Sequence, residues 1–376
     1  MGPKVSGQYH HRRPTLNLPH AMTRRSRIKP AAKPLIAPEP CLPGTAGAVG
    51  IDVSKATFHA CYRADSKARP KAGVFTADPV GHAKFLTWLD RVGTHQSLHL
   101  CLEETGCYGR ALASFLHQAG HHVSVVNAAL IKNYGRSLNL RTKNDRVDAQ
   151  LIAGYTLERI PARWQPLEPQ HQALRDAARR RQQLMGLLLQ EKNHLEASPS
   201  PAIRQSIQQT IDALQAQRAD IEAHMKALIA ADPQLEHNAA LLVSIPGIGF
   251  LTAMLLLAEL PPLDSFTTAR QLSAYAGLTP REHQSGTSVN GRTRLCKQDR
   301  SGLRTLFFMP ALSLMGRKTG PLYHFAERLL KAAKRPACVM GALMRKLSTL
   351  VFAILRSGKP FDPNYSRTMA LSPAVP

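Results

Sequence analysis

Four acidic residues in the N-terminal half of the chain lie where their carboxylates could share one site. Asp52 follows the apolar run Val49–Ile51, and Glu103 ends a second apolar run, Leu98–Leu102. Such runs are typical of buried strands, where an uncompensated charge is costly, so a cation is expected beside Asp52. Asp145 and Asp148 stand three residues apart at the start of a predicted helix, a spacing that puts both on one helix face.

Carboxylates from two strands and one helix are the hard oxygen ligands that Mg²⁺ takes. Two such ions, about 4 Å apart, can stabilise both the attacking and the leaving oxygen of a phosphoryl transfer. The pattern therefore predicts phosphodiester cleavage or strand transfer. Plainer interpretations stay open: acids favoured at a helix N-terminus for Asp145 and Asp148, and surface carboxylates for Asp52 and Glu103. Strand alternation puts Glu103 and Glu104 on opposite faces, so only one of them can share a face with Asp52.

Short apolar runs bounded by turn residues predict the elements that position these acids. Three successive strands, expected as an antiparallel meander, are predicted at Ala48–Val53, Thr57–Tyr62 and Gly73–Thr76. Helix and strand then alternate, at Gly81–Val92, Leu98–Glu103, Tyr108–Ala119, Val123–Asn127 and a helix beginning near Lys143. This order describes an α/β sheet of the ribonuclease H kind.

A long helical segment follows. Residues 171–196 and 202–231 each carry one apolar stripe, and Ser198–Pro201 breaks the pattern between them. We predict two antiparallel helices, each about 40 Å long at ~1.5 Å per residue. Both a self-packed hairpin and a dimerisation coiled coil fit this pattern.

The C-terminal region is predicted to be mostly helical. It opens with Ser244–Gly249, a turn between two apolar helices. A glycine-containing turn of this kind can approach a phosphate closely, as in helix-hairpin-helix modules, or can simply form a tight corner.

The formal net charge of +24 points to a polyanion, usually DNA or RNA, although a generically basic protein has the same signature. Residues 1–46 are basic and rich in proline, which predicts a disordered tail, or equally a mis-assigned start. Six scattered cysteines without zinc-ligand spacing indicate a reducing compartment. The uncharged stretch 238–258 is long enough to span a bilayer, but Pro246 and its neighbouring glycines interrupt it. We expect a cytoplasmic protein that has no membrane span and no signal peptide.

Five motifs, in this order, resemble those of the DEDD transposases of the insertion-sequence one-ten family. They are Gly50–Lys55, Leu102–Gly106, Lys143–Ala149, Ser244–Gly249, and Ala276–Pro280 with Ser285-Gly286. The resemblance covers about residues 47–360. It implies a RuvC-like N-terminal domain, a C-terminal domain that supplies a serine nucleophile, and DNA recombination as the activity.

Residue by residue, the resemblance places the acidic set on Asp52, Glu103, Asp145 and Asp148, and the nucleophile on Ser285. It implies two Mg²⁺ ions, with Mn²⁺ as a substitute, and a serine that attacks DNA and stays transiently linked to it. Serine is weakly nucleophilic, so a base or metal must activate it. Without the resemblance, Ser285 is a turn serine before Gly286.

Contacts to nucleic acid are expected from basic residues near these motifs: Lys143, Arg146, Lys297 and Arg304. In one place the chain departs from the family. Members often carry Ser-Lys-x-Gly before Leu-Arg, whereas this chain has Asp299 where the glycine is usual. The local turn is therefore expected to differ.

The resemblance also implies partners. A homodimer or homotetramer would set the serine of one protomer against the carboxylates of another, with donor and target DNA bound. A structured non-coding RNA would pair with both DNAs. The basic composition permits an RNA partner without indicating one.

The sequence thus predicts four segments: a tail (1–46), a RuvC-like catalytic domain (47–165), a helical hairpin (166–234) and a C-terminal transposase domain (235–376). Three other classes of protein could share part of this pattern. A Holliday-junction resolvase, or another Mg²⁺-dependent nuclease, would use water and would not need Ser285. A sugar kinase or actin-like ATPase would need a glycine-rich phosphate loop, which Asp52–Ala56 does not offer. In a non-catalytic nucleic-acid-binding protein the acids would be structural.

Overall fold

The computed structural model describes residues 47–93, 98–104, 106–140, 144–285, 289–297 and 301–364, with the backbone alone for Cys107, 283–285 and 289–293. The predicted basic tail, Lys143 and Asp299 lie outside these ranges.

The N-terminal part of the described chain is built on a five-stranded sheet of order β3-β2-β1-β4-β5. Its strands are β1 (Gly47–Val53), β2 (Thr57–Arg63), β3 (Lys71–Thr76), β4 (Leu98–Glu103) and β5 (His122–Val126). The first three strands pair antiparallel, and β4 and β5 run parallel to β1. The expected meander followed by alternating helix and strand is confirmed, with strand ends within one or two residues of the prediction.

Four helices accompany this sheet: α1 (Pro79–Val92), α2 (Cys107–Gln118), α3 (Ala128–Ser137) and α4 (Asp145–Arg159). The sequence analysis missed α3, because Asn127 was assigned to the preceding strand. Asn127 instead caps α3, where its side chain accepts a hydrogen bond from the Ala129 N–H at 2.8 Å. A short polar side chain that binds a free N–H in this way is a typical helix start.

Two long helices, α5 (Pro169–Ala197) and α6 (Pro201–Ala230), pack against each other as a hairpin. Their 29 and 30 residues correspond to about 44 Å each. Apolar side chains such as Leu184 and Ile211 are buried along the hairpin. An ion pair between Arg181 Nε and Glu222 Oε1, 2.7 Å apart, ties the two helices together. The self-packed hairpin is confirmed, and a dimerisation coiled coil stays a prediction.

The C-terminal part is mostly helical, as predicted. Its helices are α7 (Pro233–Val243), α8 (Phe250–Glu259), α9 (Ala269–Tyr275), α10 (Ser301–Leu306), α11 (Phe308–Arg317), α12 (Pro321–Lys331) and α13 (Pro336–Ser357). The turn Ser244–Gly249 separates α7 from α8, as expected. Apolar residues of the hairpin base, including Leu174 and Met225, belong to the same core as these helices.

One antiparallel strand pair in this region was not predicted: β6 (Pro280–Ser285) and β7 (Val289–Leu295). Neither segment shows the alternation of apolar and polar residues that signals a half-buried strand. Their pairing rests on backbone hydrogen bonds, which leave no mark in the side-chain pattern.

Of the described helices, α13 alone is long and apolar enough to cross a membrane, and half of its most apolar stretch is buried inside the protein. Val339, Leu343, Leu347 and Val351 on this helix belong to the C-terminal core. The uncharged stretch considered from the sequence is instead divided between α7 and the ten-residue α8.

Candidate active site

Helix α4 lies directly on strand β1, and Gly50 makes this possible. A Cβ atom at Gly50 would lie 2.2 Å from both the Ala149 carbonyl oxygen and the Ala153 nitrogen. Real side chains do not come this close to backbone, so only glycine fits here. The close approach fixes the helix against the strand that carries Asp52.

The direction of α4 follows from its contacts. Residues 149–153 of α4 face Gly50, while Asp145, at the start of the helix, lies beside His59, the cross-strand partner of Asp52. The helix therefore runs antiparallel to β1, and its first turn lies toward the end of β1 that carries Asp52. This is the turn that holds Asp145 and Asp148.

The start of α4 is set by Asn144. Its side chain accepts a hydrogen bond from the Val147 N–H at 2.9 Å, and the Asp148 N–H donates to the Asn144 carbonyl at 2.9 Å. Both acids thus fall in the first turn, where a negative charge is favoured by the helix dipole. Asp145 is exposed and Asp148 half-buried.

Strand register brings Asp52 and Glu103 to neighbouring positions. In the parallel β1–β4 pair, Gly50 faces Cys101 and Ile51 faces Leu102, so Asp52 and Glu103 follow at the next step. Cys101 packs with Ile152 of α4, which is the helix that also covers Gly50. Because side chains two residues apart on a strand share a face, Asp52 lies on the face of Gly50, and Glu103 on the face of Cys101. Both acids therefore lie on the face that α4 covers.

Glu104 takes the opposite face. Its backbone N–H donates to the Val126 carbonyl at 2.8 Å, and its side chain lines a cavity of about 330 Å³ together with residues of α5, α8 and α10. Continued by one residue, the β1–β4 register puts Glu103 on the face of Asp52, in line with the prediction of Glu103 as the site residue.

A histidine joins two of the predicted site residues. His59 on β2 is the cross-strand partner of Asp52, and its Nε2 lies 3.6 Å from Asp145 Oδ2. Asp52 and Asp145 therefore flank the same imidazole. The sequence analysis did not single out His59, although the short β1–β2 hairpin carried the signal, because its register pairs position 52 with position 59.

Two buried thiols lie on this face. Burial raises the pKa of Cys61 to about 11 despite the nearby Arg63 and Arg146, and raises the pKa of Cys101 to about 12. A thiol must lose its proton to bind a metal ion. The carboxylates on this face offer oxygen donors, which suit hard cations such as Mg²⁺.

Within the part of the chain that the structure describes, no three His, Cys, Asp or Glu side chains are grouped closely enough to hold one metal ion. Carboxylates repel one another and converge only around a cation. The backbone brings Asp52, Glu103 and the first turn of α4 to one end of the sheet, and it leaves these side chains apart.

Ser285 belongs to a different element. It is the last residue of β6, paired with Val289 across the strand pair, at the tip of the β6–β7 hairpin. The hairpin is part of the C-terminal region, whereas the acids lie on the N-terminal sheet. Ser285 is thus a strand residue.

The remaining predicted contacts are dispersed. Arg146 is exposed in the first turn of α4. Lys297 is exposed after β7, in a left-handed conformation (φ 53°), and its N–H donates to the Gly277 carbonyl at 3.2 Å. Arg304 on α10 is half-buried, and its Nη1 is buried without a hydrogen-bond partner among the described residues.

Comparisons with known proteins cover both parts of the chain. Residues 49–198 match a family model for the DEDD transposases of IS110 elements, and residues 239–327 match the model described as "Transposase IS116/IS110/IS902 family". A pilin gene-inverting protein of Moraxella bovis is 33% identical over 315 residues, which is 84% of this chain and 97% of that protein. A transposase for insertion sequence element IS1111A from Coxiella burnetii is 32% identical over 140 residues, 36% of either chain.

These matches, on this sheet and helical region, define a DNA transposase or recombinase. The chain belongs to the IS110 family of insertion-sequence transposases. Membership implies DNA as the substrate and a general dependence on divalent metal ions.

Proposed function

We propose that the protein cleaves and exchanges strands between donor and target DNA, using Asp52, Glu103, Asp145 and Asp148 to hold Mg²⁺ and Ser285 as the nucleophile. One observation carries the proposal: α4 packs on Gly50 antiparallel to β1, so its two acids lie toward the strand end where Asp52 and Glu103 share a face. In this proposal a bound cation offsets the charge of these acids, which come from distant parts of the chain to one end of the sheet.

Bound Mg²⁺, with two ions expected and Mn²⁺ able to replace them, would stabilise the charge that develops on the attacking and leaving oxygens. The four carboxylates are its ligands in this proposal. The strand order and the mix of antiparallel and parallel pairs support a RuvC-like catalytic domain.

The proposed chemistry of Ser285 proceeds in two steps. Its Oγ attacks a DNA phosphorus as the bond to the deoxyribose oxygen breaks; the serine loses its proton to solvent, and the leaving oxygen takes one from solvent. A hydroxyl of the exchanged strand then attacks the same phosphorus and loses its proton, and the released serine oxygen takes a proton back. The place of Ser285 at a hairpin tip supports this role, because a tip can reach into a DNA groove or a neighbouring protomer.

The proposal includes a dimer or tetramer, in which Ser285 of one protomer acts beside the carboxylates of another. Met185 and Leu189, two exposed apolar side chains one helical turn apart on α5, support association through the hairpin. The proposed domains are 47–165, 166–234 and 235–376. The separate core of the N-terminal sheet supports the first boundary.

The proposed partners are DNA and a structured guide RNA, in the cytoplasm. The net charge of +24 supports a polyanion as partner and permits the RNA without indicating it. Arg146 lies in the same helical turn as two of the acids, where it can contact a phosphate beside the metal. Lys143, Lys297 and Arg304 complete the proposed nucleic-acid contacts. Arg304 would need its half-buried side chain to turn outward.

Two variants test the proposal and separate it from a resolvase that uses water. Asp145→Ala is expected to abolish all strand cleavage. Ser285→Ala should keep metal binding and DNA binding but lose recombination and the covalent protein–DNA adduct. Both are assayed on donor and target DNA with protein purified from cells that carry the whole genetic element, so that any bound RNA is retained and sequenced. Equal recombination by wild type and Ser285→Ala would favour the resolvase.

A further inference from the structure

We infer that His59 is a positioning residue that orients the carboxylate of Asp145 for metal binding. The inference rests on the proposed function, since it takes Asp145 to be a metal ligand. The observation behind it is the 3.6 Å separation of His59 Nε2 from Asp145 Oδ2, together with the pairing of His59 and Asp52 across β1 and β2.

His59 is held rigidly. Its strand is paired on both sides, with Asp52 of β1 and with Val74 of β3 as its register partners. The neighbouring residues Phe58 and Ala60 are buried on the other face of the strand. The histidine backbone therefore cannot shift without breaking two ladders of hydrogen bonds.

Asp145 is held loosely. It occupies the first position of α4, directly after the cap, and its side chain is 61% exposed against 25% for His59. A carboxylate in that position can adopt several rotamers in water. A nitrogen on a fixed strand, within ion-pair distance of one carboxylate oxygen, restricts that choice.

The direction of the restriction matters for the site. Cross-strand partners in an antiparallel pair carry their side chains on one face, with Cβ atoms about 5 Å apart. Because His59 stands beside Asp52, a contact between His59 and Asp145 holds the Asp145 carboxylate toward Asp52. Partners that orient metal ligands in this way typically change metal affinity or activity by about 10–100-fold when removed.

The role assigned to His59 is to place a nitrogen 3.6 Å from Asp145 Oδ2, where a small rotation of the loosely held carboxylate brings the two atoms within hydrogen-bond distance. The amide nitrogen of glutamine can occupy nearly the same place as Nε2, whereas alanine has no donor and asparagine is too short. His59→Gln should therefore preserve the function that His59→Ala loses.

The experiment measures Mg²⁺ binding to the full-length chain by titration calorimetry without DNA, and the Mg²⁺ dependence of DNA cleavage. His59→Ala should raise the Kd for Mg²⁺ by about 10–100-fold, and cleavage should recover at saturating Mg²⁺. His59→Gln should restore most of the affinity. Val74→Ala, the neighbour of His59 on β3 with a 60% exposed side chain, is the matched control and should bind Mg²⁺ as the wild type does.

The outcomes separate the two claims. If Asp145→Ala loses Mg²⁺ binding while His59→Ala keeps it, the inference is wrong and the proposed metal site stands. If Asp145→Ala binds Mg²⁺ like the wild type, the proposed metal site is wrong, and the role inferred for His59 is wrong as well. Failure of His59→Gln to bind better than His59→Ala also overturns the donor role. Should His59→Ala not fold, His59→Asn against His59→Gln gives the same comparison.

Discussion

Replacing Gly50 by alanine tests the packing on which the candidate site depends. The added Cβ would stand 2.2 Å from two backbone atoms of α4 and 2.9 Å from the Ile152 carbonyl carbon. Ordinary contact begins near 3.4 Å, so the helix must move away from β1 by about 1 Å. A rotamer change cannot relieve this clash, because the atoms it meets belong to backbone.

Two consequences are expected for Gly50→Ala. Overpacking of a buried contact costs about 1–3 kcal/mol, which should lower the free energy of unfolding by that amount. A misplacement of about 1 Å at the reacting groups costs about 100-fold in rate. Because the first turn of α4 moves with the helix, DNA cleavage should fall by this order even where the protein remains folded.

Stability is measured by urea denaturation, and cleavage by single-turnover kinetics at a temperature where both proteins are folded. The matched control is Gly186→Ala on α5, where an added Cβ would meet no atom within 4 Å. That change should stabilise the protein by about 0.5–1 kcal/mol through helix propensity, with an unchanged cleavage rate. A Gly50→Ala variant with wild-type stability and rate would refute the reasoning about α4.

Three further predictions follow from single contacts. Glu103→Gln should abolish Mg²⁺-dependent cleavage while Glu104→Gln retains it, because the register puts only Glu103 on the face of Asp52; equal loss in both variants would argue against this assignment. Burial, with a smaller effect of nearby His122, lowers the pKa of His99 to about 3. Between pH 6.5 and pH 3, the imidazole is therefore protonated in the unfolded chain but stays neutral in the folded protein. As the pH falls from 6.5 toward 3, the free energy of unfolding should decrease by up to about 1.4 kcal/mol per pH unit. Urea denaturation at pH 7 and pH 5 should therefore show a smaller change in the free energy of unfolding for His99→Gln than for the wild type. Asn144→Ala removes the cap of α4 and should cost about 1 kcal/mol, which thermal unfolding would detect; no change would mean that the cap is not needed.

Much of the fold could be predicted from the sequence because the patterns concerned are local. The strands of the N-terminal sheet and the hairpin of α5 and α6 carry their periodicity within a few residues, and that periodicity reports which face is buried. Helix α3 was missed because an asparagine such as Asn127 is as common at a helix N-cap as in the turn that follows a strand. The β6–β7 pair was missed because its segments are mostly polar and lack the alternation of a half-buried strand.

The residues of the candidate site, too, were predicted from the sequence only in part. The four acids were found from their positions after apolar runs and at a helix start, and their relation to the family motifs located Ser285. His59 was not found, because its pairing with Asp52 in the β1–β2 hairpin does not by itself distinguish it from other half-buried histidines on strands. Its importance comes from Asp145, which lies 86 residues further along the chain.

By itself, the sequence determined the types of element, their order, and the set of acids available for chemistry. Only the tertiary structure showed that the β1–β4 register, continued by one step, sets Glu103 beside Asp52, an assignment that the family motif had already favoured over Glu104. It also decided where the first turn of α4 lies, through a glycine whose missing Cβ lets a distant helix touch the strand. The physical reason is that register and helix contact depend on atoms far apart in the chain, whose distances no local pattern records.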